Sequence, residues 1–269
     1  MSNEQNKYAL ITGATSGIGR ELAKLFAKDQ YNLVIVSRNQ DELNNVSNEL
    51  KMDYGINVVT IAKDLFDRNA GFEIYDEVKS KGIQVDVLVN DAGQGLYGEF
   101  VDTDINRELD IIQLNIASVV VLTKCFLKDM VARNDGKILN LASIASRLPG
   151  PFQSVYHGTK AFVLSFSEAI RDEVKDKNVV VTALMPGATD TDFFHKADME
   201  NSKIVQDGKL ADPATPAKDG YDALMADKDK VVSGFMNKVQ IAMSNITPDS
   251  MVSASMHKQQ EPVDQSKQQ

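Results

Sequence analysis

Short apolar runs alternate along this chain with longer stretches whose apolar positions fall three and four residues apart. The runs 8–12, 32–36, 57–62, 86–90 and 136–142 are rich in Val, Ile and Leu and too short for helices, so they predict buried strands. The stretches 20–28, 41–52, 71–79, 104–130 and 161–170 predict helices, the last being too long and apolar for a strand and free of Gly and Pro. Asp212-Pro213 marks a further helix start, an N-cap followed by proline at the first helical position, with the helix running to Met225 and a last strand over 230–233. Strands and helices in alternation predict an α/β fold, a doubly wound parallel sheet in a single domain.

The C-terminal end has a different texture. Residues 235–243 are apolar on one face, and a second segment from Pro248 carries Met251 and Met256. Methionine adapts to irregular apolar surfaces, so this helical extension, residues 234–256, either closes an apolar pocket or covers core or a neighbouring subunit. The domain is expected to end there, with residues 257–269 a polar, disordered tail.

Composition narrows the classes. The 269 residues hold 29 basic and 38 acidic side chains, a formal net charge of −9, which argues against a nucleic-acid or anionic-membrane surface. The lone Cys125 excludes an internal disulfide and fits a reducing compartment. The first residues are polar with no signal-peptide core, and no uninterrupted apolar run reaches the roughly 18 residues of a membrane span. A soluble, cytoplasmic protein is expected, without a metal site, since no Cys/His cluster is present.

The turns carry the chemistry. Between the first strand and the first helix lies Gly13-Ala-Thr15-Ser16-Gly17-Ile18-Gly19. Glycines let backbone approach a ligand, and a helix N-terminus offers unpaired N–H groups to an anion, so this loop reads as a phosphate cradle. Its spacing, Gly-x-x-x-Gly-x-Gly, differs from the common dinucleotide fingerprint. The second strand ends in Ser37-Arg38 rather than in an acidic residue. A guanidinium makes paired hydrogen bonds to a 2′-phosphate, so NADP(H) is expected over NAD(H).

Farther on, Ser143 sits at a strand's carboxyl end, where open parallel sheets bind ligands, while Tyr156 and Lys160 are neighbours on one helix face. An ammonium beside a phenol is expected to lower its pKa from about 10, making Tyr156 an acid/base for a substrate oxygen that Ser143 holds. The trio fits carbonyl reduction or alcohol oxidation with a hydride from a cofactor. Spacing alone is weak, because Tyr75 and Lys79 repeat it on a helix with charged neighbours that reads as a solvated face.

Taken jointly, Thr12-Gly13, Gly17-Ile-Gly19, Asp64, Asn90-Asp91-Ala92-Gly93, Asn115, Ser143, Tyr156 with Lys160, and Pro186-Gly187 with Thr189 and Thr191 resemble the short-chain dehydrogenases/reductases over roughly residues 7–192. The resemblance implies a Rossmann-type fold. It makes Tyr156 the acid/base, Ser143 the orienter of the substrate oxygen, Lys160 a ligand of the nicotinamide ribose, and Asn115 the support of a water linked to Lys160. It puts Asp64 and Leu65 at the adenine, Asn90, Ala92 and Gly93 beside the cofactor, and Pro186, Gly187, Thr189 and Thr191 at the nicotinamide end. It also implies a substrate lid over residues 190–212 and a homodimer or homotetramer built on the helices 104–130 and after Tyr156. Asp91 stands where the family usually has asparagine, a change expected to be tolerated, and His157, where small residues are frequent, is expected to be packed or solvated. The expected activity is NADP(H)-dependent interconversion of an apolar ketone or aldehyde and its alcohol. The alternatives are a 3-oxoacyl-carrier-protein reductase and, from another class, a nucleotide-sensing or scaffold protein without turnover.

Overall fold

The computed structural model describes residues 7–206 and 208–263. Its centre is one parallel sheet of seven strands in the order β3-β2-β1-β4-β5-β6-β7. The strands are β1 Tyr8–Thr12, β2 Asn32–Ser37, β3 Val58–Ala62, β4 Val85–Asn90, β5 Gly136–Leu141, β6 Val179–Met185 and β7 Lys230–Val232. The helices linking the first five strands are α1 Gly17–Lys28, α2 Gln40–Tyr54, α3 Ala70–Ser80, α4 Ile105–Ile112 and α5 Ser118–Arg133. After β5 come α6 Ser154–Glu173, the short α7 Phe193–Lys196 and α8 Lys203–Gln206, α9 Ala214–Met225, α10 Phe235–Ser244 and α11 Asp249–Gln260.

Successive strand residues face opposite sides of a sheet, and here both sides are covered. Ala9 and Ile11 pack with Leu22 and Phe26 of α1, Leu43 of α2 and Leu224 of α9. Leu10, between them in sequence, packs with Ile74 of α3 and Leu122 and Phe126 of α5 on the other side. That two-sided burial is why the strand sequences read as continuous apolar runs. Strand order reverses between β1 and β4, which opens a crevice at the carboxyl ends of the strands.

Three features depart from the sequence expectations. The single helix over 104–130 is two helices joined by a π-turn, Gln113–Ala117, that carries Asn115. The whole stretch Ile105–Arg133 is, by length and composition, apolar enough to cross a membrane, which a count of uninterrupted apolar residues does not show. Here its Leu122, Phe126 and Met130 belong to the core over the sheet. Third, residues 257–263 are not the disordered tail expected there: α11 continues to Gln260, and Pro262 bridges to Ser202. Residues 264–269 lie outside the described residues.

Beneath the crevice a chain of buried polar groups joins four elements. The Asn90 side-chain N–H group donates to Asn140 Oδ1 at 2.8 Å and to Thr123 Oγ1 at 3.1 Å, Asn140 donates to Ser167 Oγ at 2.9 Å, and Ser167 donates to the Val163 carbonyl at 2.7 Å. Low local dielectric makes a broken link in such a chain costly. Asn90→Ala strands the Asn140 oxygen, which is fully buried. The expected loss of about 1–3 kcal/mol appears as a melting temperature lowered by roughly 3–10 °C, and an unchanged melt would show that the chain adds nothing to stability.

Candidate active site

The crevice is built where β1, β4 and β5 end. After β1 the backbone turns at Gly13, whose φ of +73° favours glycine, and its N–H donates to the Val36 carbonyl at 2.9 Å. Gly19, in the first turn of α1, leaves no room for a side chain, since a Cβ there would sit 2.5 Å from the Gly13 carbonyl oxygen. Thr12 Oγ1 accepts the N–H groups of both Asp91 and Ala92 at 3.1 Å, which fastens the exit of β4 to the end of β1. Gly13, Thr15, Ser16, Gly17 and Ile18 line the crevice, and Ser16, the N-cap of α1, makes no side-chain capping bond.

At one end of this groove Thr15 Oγ1 and Ser37 Oγ lie 3.2 Å apart. Arg38 is exposed and makes no ion pair among the described residues; its guanidinium stands 5.5 Å from the Phe66 ring centre. Asp64 and Leu65 line the same end, with Asp64 Oδ1 accepting the Phe66 N–H at 3.1 Å. At the other end lie Ala92, Gly93, Pro186, Gly187, Thr189 and Thr191. Gly187 has no space for a Cβ because the Asn237 side chain of α10 packs on it. The Pro186 carbonyl accepts the Ile144 N–H at 3.0 Å, and Thr189 donates to the Gly187 carbonyl at 3.0 Å.

Ser143, Tyr156 and Lys160 meet in the middle of the groove. Ser143 heads the short 3-10 turn Ile144–Arg147 that follows β5, with Oγ accepting the Ala145 N–H at 3.1 Å and its own N–H donating to Ser146 Oγ at 3.3 Å. Because α6 begins at Ser154, Tyr156 and Lys160 both fall in its opening turns. The Lys160 ammonium donates to the Leu141 carbonyl at 2.7 Å and lies 5.8 Å from the centre of the Tyr156 ring.

The expected lowering of the Tyr156 pKa does not occur. Burial pushes the phenol up to about 12, and a hydrogen bond from Ser143 offsets only part of that. Desolvation also brings Lys160 down to about 8, against the pull of Asp91. Asp91 rises to about 7 by burial, opposed by Lys160 and by the Gly19 N–H that its carboxylate accepts. The lysine thus faces a strand carbonyl and a carboxylate, and removal of the phenol from water outweighs the neighbouring cation. Tyr75 shows the contrast: its hydroxyl and the Lys79 ammonium both bind Asp129, on α5, away from the groove residues.

Three sequence candidates stand behind the groove rather than on it. Gly19 packs on Gly13, and Asn90 belongs to the chain of buried polar groups under the sheet's end. Asn115, in the π-turn, accepts the Gln94 N–H at 3.1 Å and donates to the Gln94 carbonyl at 2.8 Å and to Thr159 Oγ1 at 3.0 Å. It therefore holds the Gln94 backbone against the start of α6.

Beyond Tyr156 the groove widens into a space that sequence reasoning left undefined. Phe193, whose ring centre is 5.0 Å from that of Tyr156, lines it together with Phe194, Met199 and Ile204 from the segment 190–212 and with Leu148. Met256 and Gln260 of α11 close it, packed by a cluster of Leu148, Val252 and Met256. The C-terminal extension thus resolves into two roles: α11 covers this space, whereas α10 leaves Phe235, Met236 and Met243 exposed. Gln153 and His157 also line it, and His157 is buried, donating from Nδ1 to the Leu148 carbonyl at 2.7 Å.

A doubly wound sheet with a glycine loop after β1 and a serine, tyrosine and lysine gathered at the end of β5 defines a Rossmann-type scaffold. The short chain dehydrogenase profile matches residues 7–202, and the chain belongs to that family. A very-long-chain 3-oxoacyl-CoA reductase of Mus musculus is 38% identical over 187 residues, covering 67% of this chain and 58% of its own length. The chain therefore spans under two thirds of such relatives. Among solved structures, a short-chain dehydrogenase from Sphingobium yanoikuyae in complex with NADPH aligns with a TM-score of 0.79 at 25% identity, over 84% of this chain and 87% of the other. An L-sorbose reductase from Gluconobacter frateurii, complexed with NADPH and L-sorbose, aligns at 0.75 with 26% identity, over 86% and 97%.

Proposed function

We propose that this chain is an NADP(H)-dependent oxidoreductase that interconverts a ketone or aldehyde and an alcohol. The observation that carries the reading is the Tyr156 phenol, half-buried beside Ser143 at the meeting point of a glycine-cradled groove and an apolar space. The groove suits an NADP: bare backbone at Gly13 and Gly17, Ser37 and Arg38 at the end that would take a 2′-phosphate, and a rim of Thr189 and Thr191 at the other. Bound there, NADPH supplies the hydride. In reduction, Tyr156 donates the proton to the substrate oxygen while the Ser143 hydroxyl orients that oxygen and stabilises its developing charge. Lys160, cationic below about pH 8, stabilises the phenolate left behind. The complex of a family relative with NADPH and the naming of the curated relatives as reductases support the reading.

Those relatives also favour a second reading, in which the carbonyl is the 3-oxo group of an acyl thioester. The lid and α11 give an apolar lining that accepts either.

A subunit pairing is part of the proposal. Ile105, Leu109 and Ile112 of α4 and Phe162 of α6 are exposed, with Phe162 stacked on Phe166 at 5.7 Å. This apolar area supports a homodimer or a larger homo-oligomer, and sedimentation of micromolar protein as monomer alone would remove it.

Two measurements test the chemistry. In a fluorescence titration NADPH binds more tightly than NADH, and Arg38→Glu, losing a charge-assisted pair, narrows or reverses that preference by roughly tenfold or more; unchanged selectivity refutes the Arg38 assignment. For a reducible ketone, kcat/KM falls as pH rises past about 8, where Lys160 loses its charge. Asp91→Asn removes the carboxylate that raises the lysine pKa, so the fall moves to lower pH. Tyr156→Phe lowers turnover by at least about 100-fold with NADPH still bound, and residual activity near the native level sinks the mechanism.

A further inference from the structure

Phe66, which follows Asp64 and Leu65 in the loop after β3, carries two guanidinium groups over its ring. That of Arg38, just past β2, stands 5.5 Å from the ring centre, and that of Arg107, on α4, stands 5.4 Å from it. Arg38 and Phe66 both line the groove at the end that holds Thr15 and Ser37.

The ring is a fixed point. The Phe66 N–H donates to Asp64 Oδ1 at 3.1 Å, and the side chain packs against the cluster that includes Val36 and Leu65. Arg107 is committed to other groups, with Nη1 3.4 Å from Asp110 and Nη2 donating to Gln94 Oε1 at 3.3 Å. Lys63, another cation on the groove, pairs with Glu73 at 2.5 Å. Arg38 is exposed, and an exposed arginine gives up rotamer freedom whenever it binds a ligand. Attraction between a guanidinium and the negative face of a ring restrains that freedom beforehand. It needs no hydrogen-bond acceptor, so the donors of Arg38 stay available to a phosphate.

We propose that Phe66 is a specificity-determining residue for the cofactor: its ring holds the Arg38 guanidinium in place for a 2′-phosphate, so that Phe66 is a positioning residue acting through Arg38. This rests on the reading of the groove as an NADP(H) site. The consequence is selective. A ring that acts through Arg38 changes the affinity for NADPH and leaves that for NADH alone, whereas a ring that stacks on adenine changes both equally.

The test is calorimetric titration of the full chain with NADPH and with NADH. Phe66→Leu, which keeps an apolar side chain against the cluster, weakens NADPH by about 2- to 5-fold and leaves NADH unchanged. Phe66→Tyr keeps a ring and keeps the native ratio of the two affinities. In an Arg38→Ala background, Phe66→Leu changes the ratio no further, because the group it positions is gone. Equal weakening of both cofactors by Phe66→Leu overturns the proposal, as does a ratio that falls as far in the tyrosine variant or that still falls when Arg38 is absent. An Arg38→Ala protein with the native ratio overturns the assignment of Arg38, and this inference with it. A ratio lost with Arg38 but unmoved by Phe66→Leu overturns this inference alone.

Discussion

The Leu141 carbonyl, at the last residue of β5, accepts from a buried ammonium, and the arrangement of the groove follows from that bond. A parallel sheet that stops inside a protein leaves backbone groups with no next strand to meet, and burial makes each of them costly. Here groups from other elements take them up: the Lys160 side chain at the end of β5, the Thr12 side chain for the amides after β4, and the Ile144 backbone N–H for the Pro186 carbonyl after β6. Holding Lys160 on Leu141 fixes the opening turns of α6, and with them the place of Tyr156. The polar residues of the site are thus also the pieces that terminate the sheet.

The same bond explains a difference in proton affinity. A lysine bound to a carbonyl and facing Asp91 has spent much of its field before it reaches the phenol, and burial then keeps the Tyr156 proton in place. Asp91 is the third member of this balance. Its carboxylate accepts the Gly19 N–H, one of the donors at the opening of α1, so the acidic replacement of an asparagine brings a titratable group into contact with the glycine loop. An asparagine there could accept the same bond but could not support the charge of Lys160.

The sheet, its two helical layers and the groove residues were legible because each has a local cause. Strands buried on both faces leave continuous apolar runs, and the loop after β1 needs glycine at Gly13 for its φ and at Gly19 for space. What sequence could not supply depends on tertiary enclosure. The direction of the Tyr156 shift is set by how much water surrounds the ring, the place of Asn115 in its π-turn goes with bonds to Gln94 and Thr159 far away in sequence, and the far wall of the cavity is set by where α11 comes to rest. Gln153 offered one clue, a polar residue just ahead of Tyr156 at the N-terminal end of its helix. Gln260 offered none, since it sits in a stretch whose composition reads as tail.

That last stretch alters the topology of the molecule. The Glu261 carbonyl accepts the Lys203 N–H at 3.2 Å, and Val263 donates to the Asn201 carbonyl at 2.9 Å, beside the Pro262 to Ser202 bridge. The Lys203 to Glu261 contact joins residues 58 apart in sequence, so α9, β7, α10 and α11 lie within one noncovalently closed loop whose two ends are the segments 201–203 and 261–263. Closing such a loop costs entropy that grows only slowly with its length, and most of it is already met by the packing of α9 and β7 on the sheet. Order in residues 201–203 and order in residues 261–263 are therefore coupled: whatever loosens the end of α11 also lowers the fraction of molecules with an enclosed cavity.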